Sequence, residues 1–234
     1  MRLEFIVGVH TLIIAFISYI ITITFSGWFE ALIAKQVGDD VPEQAGFLTL
    51  NPLVHFNVFG FAAVLWGKFF GDLLPFKLIP GWGRHIPLVP DNIRGSHYKV
   101  LILIEYLARA WAHFIILMVG ITLLMLLCGP SHVVLNTHEL LFSIPHITLY
   151  KVMAQILLFM YEQNLVLFII HAIIGLFKYL IYFYMPTIQE LSFTTILSSF
   201  IILCLGLLIF GPLLHFFVTQ CITSIQSMLL LFLS

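Results

Sequence analysis

Residues 100–128 read VLILIEYLARAWAHFIILMVGITLLMLLC, and this stretch decides the fold class. Among its 29 residues, the charged or imidazole-bearing ones are Glu105, Arg109 and His113. An α-helix needs about 20 mainly apolar residues to cross the ~30 Å hydrocarbon core of a bilayer. In lipid, only helices and closed barrels satisfy their own backbone hydrogen bonds. A run this long and this apolar therefore predicts a transmembrane helix.

The composition of the whole chain agrees with that stretch. Of its 234 residues, 61% are hydrophobic and 9% are charged, and the mean hydropathy is +1.09. Soluble domains carry about 25% charged residues, so a water-soluble core is excluded. The formal net charge of −1 leaves no basic surface for nucleic acid. Composition therefore predicts an all-α integral membrane protein.

Hydrophobic runs predict a single membrane domain over residues 1–234, a polytopic helical bundle of five to six transmembrane helices. The predicted spans cover residues 5–37, 56–75, 100–128, 152–184 and 194–217. Gly211-Pro212 interrupts the last apolar stretch, and proline breaks or kinks a helix. That stretch is therefore either one kinked helix or a span followed by an interfacial or re-entrant helix over 218–234.

The connecting segments indicate orientation and location. The loop over residues 77–99 carries Lys77, Arg84, Arg94 and Lys99, and an excess of basic residues marks the cytoplasmic side of a membrane. We expect a multi-pass integral membrane protein, in the cytoplasmic or inner membrane if bacterial. Its expected partners are the lipid bilayer and another membrane protein or transmembrane segment, with no nucleic acid.

The polar loops carry recognisable motifs. Gly38-Asp39 is followed by Gly46-Phe-Leu-Thr-Leu-Asn-Pro-Leu-Val-His55 and then by Gly81-Trp-Gly-Arg-His-Ile-Pro-Leu-Val-Pro90. In this order, over about residues 20–120, the chain resembles the compact branch of the site-2 protease family, which are intramembrane zinc metalloproteases. The resemblance implies a site-2-protease-like core. It also implies that Asn51, Pro52 and His55 fold back against the end of the first helix.

The zinc site of that family is degenerate in this chain. In such enzymes two histidines one helical turn apart bind the zinc, and a glutamate beside the first acts on the metal-bound water. The matching positions here hold Ser26, Gly27 and Glu30, and the aspartate expected in the fourth helix is missing from Lys178-Tyr179-Leu180. The resemblance therefore implies a protein without catalytic residues, bound metal or another cofactor.

Arg109 needs a partner inside the membrane. An unpaired arginine at the centre of a span costs about 2.5–3.5 kcal/mol on insertion scales, so an acidic group should lie nearby. Glu105 is one helical turn away, and this i,i+4 spacing favours a pair within the helix. In the alternative, Glu30 pairs with Arg109 and the ion pair fills the lost metal position. A third interpretation leaves Glu30 exposed at the membrane interface.

Histidines offer another interpretation of the same region. His55 lies in the loop motif, while His113 and His171 lie in the third and fourth predicted helices. Together with Glu30 they could bind zinc in a rebuilt site. Isolated histidines in membrane helices more often form hydrogen bonds across helices. The candidate intramembrane polar cluster consists of Glu30, His55, Glu105, Arg109, His113 and His171.

The favoured hypothesis is a catalytically inactive site-2-protease-like protein that acts as a binding, scaffolding or regulatory membrane subunit. One alternative is an active intramembrane metalloprotease with a rearranged metal site. The other is a small transport or proton-relay protein that uses the intramembrane charges. Metal content separates the first two, because a zinc protease requires a bound metal ion.

Overall fold

The computed structural model describes residues 2–70, 81–128 and 149–184, together with residue 220. The helices are α1 (Arg2–Val37), α2 (Val41–Gln44), α3 (Pro52–His55), α4 (Val58–Phe70), α5 (Tyr98–Cys128) and α6 (Leu149–Tyr184), with a 3-10 turn at Pro90–Asn92. No β-strand occurs within the described ranges. The all-α prediction is confirmed for this part of the chain.

Three of the helices are long and apolar enough to cross a membrane. The candidate spans are Gly8–Val37, Tyr98–Leu127 and Leu149–Tyr184, with 30, 30 and 36 residues. At a rise of about 1.5 Å per residue, each exceeds the hydrocarbon thickness of ~30 Å. They coincide with the predicted spans at 5–37, 100–128 and 152–184, and they indicate a helical membrane protein.

The remaining predicted spans stay predictions. α4 has 13 residues. This described part extends about 20 Å, less than the ~30 Å hydrocarbon core of a bilayer. Residues 71–80, which would complete the predicted span at 56–75, lie outside the described residues. The predicted helices over 194–217 and 218–234 also lie outside them, apart from residue 220.

The three long helices alternate in direction. Tyr98 at the start of α5 contacts Phe183 near the end of α6, with ring centroids 6.0 Å apart, so these two helices are antiparallel. Ser18, in the first half of α1, donates a hydrogen bond to the carbonyl of Ile156 near the start of α6 at 3.3 Å. α1 and α6 therefore run parallel, and both end where α5 begins.

A buried aspartate ties two loops together at this end of the bundle. Asp39 has no exposed surface, and its carboxylate accepts hydrogen bonds from Val41 N at 3.1 Å, Val89 N at 2.7 Å and Asn92 Nδ2 at 3.1 Å. Val41 follows α1, whereas Val89 and Asn92 precede α5. One side chain therefore joins the loop after α1 to the loop before α5.

The loop motif folds back onto α1, as the resemblance implies. Asn51 Oδ1 accepts a hydrogen bond from Leu53 N at 3.1 Å and caps α3, in which Pro52 is the first residue. α3 ends at His55, whose imidazole lies against Gly27 of α1. Gly27 is less than one helical turn from Glu30, so the expectation that His55 lies within about 15 Å of Glu30 is confirmed.

Candidate functional site

Glu30 and Arg109 form an ion pair between α1 and α5. Arg109 Nε and Nη2 each lie 2.5 Å from Glu30 Oε2, and Nη2 also donates to the carbonyl of Arg84 at 3.2 Å. The side chains of Glu30 and Arg109 are 9% and 12% exposed. The interpretation that leaves Glu30 exposed is therefore wrong. An ion pair lies where the resemblance expects the second zinc ligand.

Glu105 is not the partner of Arg109, so the prediction from i,i+4 spacing is wrong. The Glu105 side chain is fully buried, and neither carboxylate oxygen has a hydrogen-bond partner among the described residues. It lies beside Asp39, whose carboxylate already accepts hydrogen bonds from the two loops. Arg109 instead reaches across to α1, because there its guanidinium can use several donors at once, on a carboxylate and on a loop carbonyl.

His55 packs over Gly27, the position at which the resemblance expects the catalytic glutamate. A Cβ atom on Gly27 would lie 2.2 Å from His55 Nδ1, so the imidazole packs directly on the glycine backbone. Its Nε2 donates to the carbonyl of Thr49 at 2.8 Å, since a carbonyl can only accept. Burial lowers the pKa of His55, and the ring is neutral near pH 7. Ser26 is also buried, and its hydroxyl donates to the carbonyl of Ile23 at 3.4 Å.

A second polar layer lies deeper in the bundle. His113 Nδ1 donates to Asn164 Oδ1 at 2.8 Å, because an amide oxygen can only accept. Asn164 Nδ2 donates to Thr22 Oγ1 at 3.0 Å and to the carbonyl of Met160 at 2.8 Å. Thr22, His113 and Asn164 are all buried. This hydrogen-bonded chain joins α1, α5 and α6, which is the expected use of a histidine between membrane helices.

His171 adds a second imidazole to this layer. Its Nδ1 donates to the carbonyl of Leu167 at 2.9 Å, and its ring centroid lies 4.9 Å from that of His113. The predicted polar cluster is therefore divided into parts. Glu30 pairs with Arg109, the two helix histidines contact each other, and His55 approaches from the loop.

The rebuilt zinc site is not assembled. Among the described residues, no group of three or more His, Cys, Asp or Glu side chains could hold a metal ion. The alternative built from Glu30, His55, His113 and His171 is therefore wrong. The physical reason is that these groups are held apart by other contacts: Glu30 is paired with a guanidinium, His55 lies on the backbone of α1, and the two helix histidines contact each other in the deeper layer.

The sequence did not single out two residues near this charged region. His85 lies in the Gly-Trp loop, and its pKa is lowered by partial burial and then by the positive charges of Lys178 and Arg109. Tyr182 donates from its hydroxyl to Asp91 Oδ1 at 2.5 Å. Two sequence features could have pointed to these residues. One is a histidine inside the loop motif, and the other is a tyrosine one helical turn after Lys178.

Comparison with known proteins gives no match: no protein-family model, no curated protein and no solved structure is significantly similar to this chain. The likeness to site-2 proteases therefore rests on the loop motifs and on the order in which they occur.

Proposed function

We propose that this chain is a catalytically inactive site-2-protease-like membrane protein that acts as a binding, scaffolding or regulatory subunit. The observation that carries the proposal is the Glu30–Arg109 ion pair, at the position where the resemblance expects a zinc ligand. A guanidinium is permanently charged and offers only hydrogen-bond donors. It repels a Zn²⁺ ion and neutralises the one carboxylate that remains in the motif.

The neighbouring positions support the same proposal. The imidazole of His55 takes the space that a glutamate side chain at position 27 would need for general-base chemistry. On α6, Lys178 stands near the place expected for the third zinc ligand, and its charge acts on Arg109 and Glu30. The proposed site thus holds two cations where the protease chemistry requires carboxylate and imidazole ligands.

The proposed architecture is a multi-pass bundle of five to six spans around a site-2-protease-like core. Support comes from the three candidate spans and from the loop motif that packs on α1. In this arrangement the lipid bilayer surrounds the helices, and the proposed partner is a transmembrane segment of another membrane protein.

A cleavage assay tests the proposal. The purified full chain is reconstituted in liposomes with a model transmembrane peptide, with and without a zinc chelator. We expect no chelator-sensitive cleavage and much less than one zinc ion per chain. The combined change Ser26→His, Gly27→Glu and Glu30→His should also remain inactive, because the new glutamate collides with His55. Ser26→Ala is the matched control, and chelator-sensitive cleavage by the unmodified chain would overturn the proposal.

Glu105 favours one second candidate, a small transport or proton-relay protein. Carboxylates within membrane-spanning helices are rare and often mark ion pathways. Glu105 is buried and forms no ion pair in the described part of the chain, and the His113–His171 contact lies deeper along the same bundle. Proton flux into liposomes, read by an internal pH dye, tests this candidate. Flux that Glu105→Gln abolishes would support it, and flux no faster than in empty liposomes would exclude it.

A further inference from the structure

A polar pocket lies between the loop before α5 and the last turns of α6. Its volume is about 390 Å³. Its lining includes His85, Asp91, Tyr106, Lys178, Ile181 and Tyr182. Neither Glu30 nor Arg109 lines it, so the pocket lies beside the ion pair, and it shares Lys178 with the proposed degenerate site.

Lys178 supplies the positive charge of this pocket. Its side chain is partly buried, and it forms no ion pair with a carboxylate of the described residues. Glu30 and Glu105 attract it electrostatically, but Glu30 is already paired with Arg109 and neither carboxylate lies within ion-pair distance of the ammonium. An ammonium group in a candidate span is costly unless an anion or water compensates it. The pocket therefore favours a ligand with negative charge beside Lys178.

Two uncharged donors stand near Lys178. His85 is neutral near pH 7, since partial burial and the charges of Lys178 and Arg109 lower its pKa. Tyr106 packs edge-on against Tyr182, with ring centroids 6.4 Å apart, and within the described ranges its hydroxyl has no hydrogen bond. An ammonium, an imidazole N–H and a phenol O–H together suit the several acceptor oxygens of a phosphate group.

Asp91 supplies a negative charge at the outer rim of the pocket. It is exposed, and its Oδ1 accepts the hydroxyl of Tyr182, so Oδ2 remains as an acceptor for a ligand. Tyr182 is four residues beyond Lys178 on α6, which is about 6 Å further along the axis toward the loops. The pocket is therefore dipolar, with its positive end deeper in the bundle and its negative end outside.

We propose that this pocket binds the phosphoethanolamine headgroup of an aminophospholipid, with the phosphate at Lys178, His85 and Tyr106 and the ammonium at Asp91. The direction of the dipole fits a bilayer, because the phosphate joins the glycerol backbone and the ammonium is the outer end of the headgroup. Ile181 extends the apolar wall beside it. The inference goes beyond the proposed function, since binding a lipid requires neither the presence nor the loss of protease chemistry.

Other common headgroups match the pocket less well. Phosphatidylglycerol has the phosphate but no cation, so Asp91 would face a negatively charged ligand without compensation. Phosphatidylcholine has a cation, but its methyl groups replace the N–H donors that a carboxylate accepts. Of the three headgroups, phosphoethanolamine alone carries both a phosphate and a hydrogen-bonding ammonium.

Calorimetric titration of the full chain in detergent micelles tests the proposal. The probes are dihexanoyl phosphatidylethanolamine, phosphatidylcholine and phosphatidylglycerol, together with free phosphoethanolamine. We expect the ethanolamine lipid to bind about tenfold more tightly than the other two lipids, the effect of one charge-assisted hydrogen bond. Lys178→Gln should weaken all three lipids, whereas Asp91→Asn should remove the preference for ethanolamine. Tyr106→Phe should weaken binding severalfold.

Lys99→Gln is the matched control. Lys99 lies at the same end of the bundle, over the ring of Phe183 at 5.6 Å from its centroid, and does not line the pocket, so its loss should leave binding unchanged. Thermal unfolding of each variant without lipid checks the fold, and Asp91→Asn and Tyr106→Phe carry the test if Lys178→Gln does not fold. Equal affinity for all three lipids, or unchanged binding in Lys178→Gln, would overturn the proposal. Free phosphoethanolamine binding as tightly as the lipid would overturn a lipid as the source. Neither result depends on the cleavage assay.

Discussion

At the end of the bundle where α5 ends and α6 begins, the buried cluster between these two helices is apolar. The buried cluster there consists of Ile121, Leu124, Met125, Ala154 and Leu158. An apolar groove of about 560 Å³ lies beside it, between α1, α5 and α6. At the opposite end, buried positions hold carboxylates, an arginine and histidines. This polar end contains the Glu30–Arg109 pair, Asp39, Glu105 and His55.

The difference between the two ends shows which contacts can specify packing in lipid. An apolar side chain gains little by leaving lipid for a helix interface, because acyl chains are as apolar as leucine. A charge or an amide has no comparable partner in the hydrocarbon, so it must be satisfied by another part of the protein. We infer that the polar end sets how the helices are placed against one another.

The largest expected effect is the loss of the buried ion pair. Glu30→Gln should lower the free energy of unfolding by about 3–5 kcal/mol, because Arg109 remains charged and buried without its carboxylate. Unfolding in mixed micelles by titration with SDS measures the change. Glu43→Gln is the control: the Lys35–Glu43 pair is 44% and 39% exposed, and solvent screening limits its loss to below about 1 kcal/mol. Equal losses of unfolding free energy in Glu30→Gln and Glu43→Gln would contradict the greater stabilisation expected at the polar end.

The next effect concerns the contact between the loop motif and α1. Gly27→Ala should cost about 1–3 kcal/mol through overpacking, because the new Cβ meets the imidazole of His55. Adding His55→Ala should make the alanine at position 27 nearly harmless. Gly120→Ala in α5 is the control, since no atom of the described residues lies within 4 Å of its new Cβ, and it should gain about 0.5–1 kcal/mol. If Gly27→Ala left the free energy of unfolding unchanged, His55 would not pack on Gly27 as described.

A truncation at the apolar end should cost less than the broken ion pair. Leu124→Ala should lower the free energy of unfolding by about 1–2 kcal/mol, below the ~2–5 kcal/mol typical of water-soluble cores. The reason is that lipid removes most of the transfer contribution and leaves the loss of packing. Leu126→Ala should be nearly neutral, because Leu126 is 53% exposed, whereas Leu124 is fully buried. A Leu124→Ala loss larger than that of Glu30→Gln would reverse the ranking.

The smallest effect is expected in the deeper polar layer. A double-mutant cycle with His113→Ala and Asn164→Ala should give a coupling energy of about 0.6 kcal/mol, the average for hydrogen bonds between membrane helices. The value is small because, in the variants, both groups can find other partners within the membrane. A coupling above about 2 kcal/mol would show that this layer contributes as much as the ion pair.

The long helices could be predicted from the sequence because lipid imposes a length. The predicted span at 100–128 differs from α5 (Tyr98–Cys128) by two residues at its start, and α6 begins three residues before the predicted 152. The start of α3 was not predicted, although Asn51 as N-cap and Pro52 in the first turn are local signals for it. The features that could be predicted from this sequence are therefore those that depend on length or on local residue pattern.

Contacts between helices could not be predicted from the sequence in the same way. Glu30 and Arg109 are separated by 79 residues, whereas the i,i+4 spacing in the sequence favoured the closer Glu105. The choice depends on which face α1 turns toward α5. His85 illustrates the same point, because its place beside Lys178 follows from the path of the loop that Asp39 anchors.

The hydrogen bond between Thr22 and Asn164 has a consequence for synthesis. The two residues are separated by 142 positions in the chain. At about 5–20 residues per second, roughly 7 to 30 s pass between the translation of Thr22 and that of Asn164. During that interval Ser18 and Thr22 on α1 exist without their partners on α6. Glu30 likewise lacks Arg109 until a further 79 residues have been made. The nascent first helix must therefore be kept in a hydrated or protein-lined environment until the later helices are made.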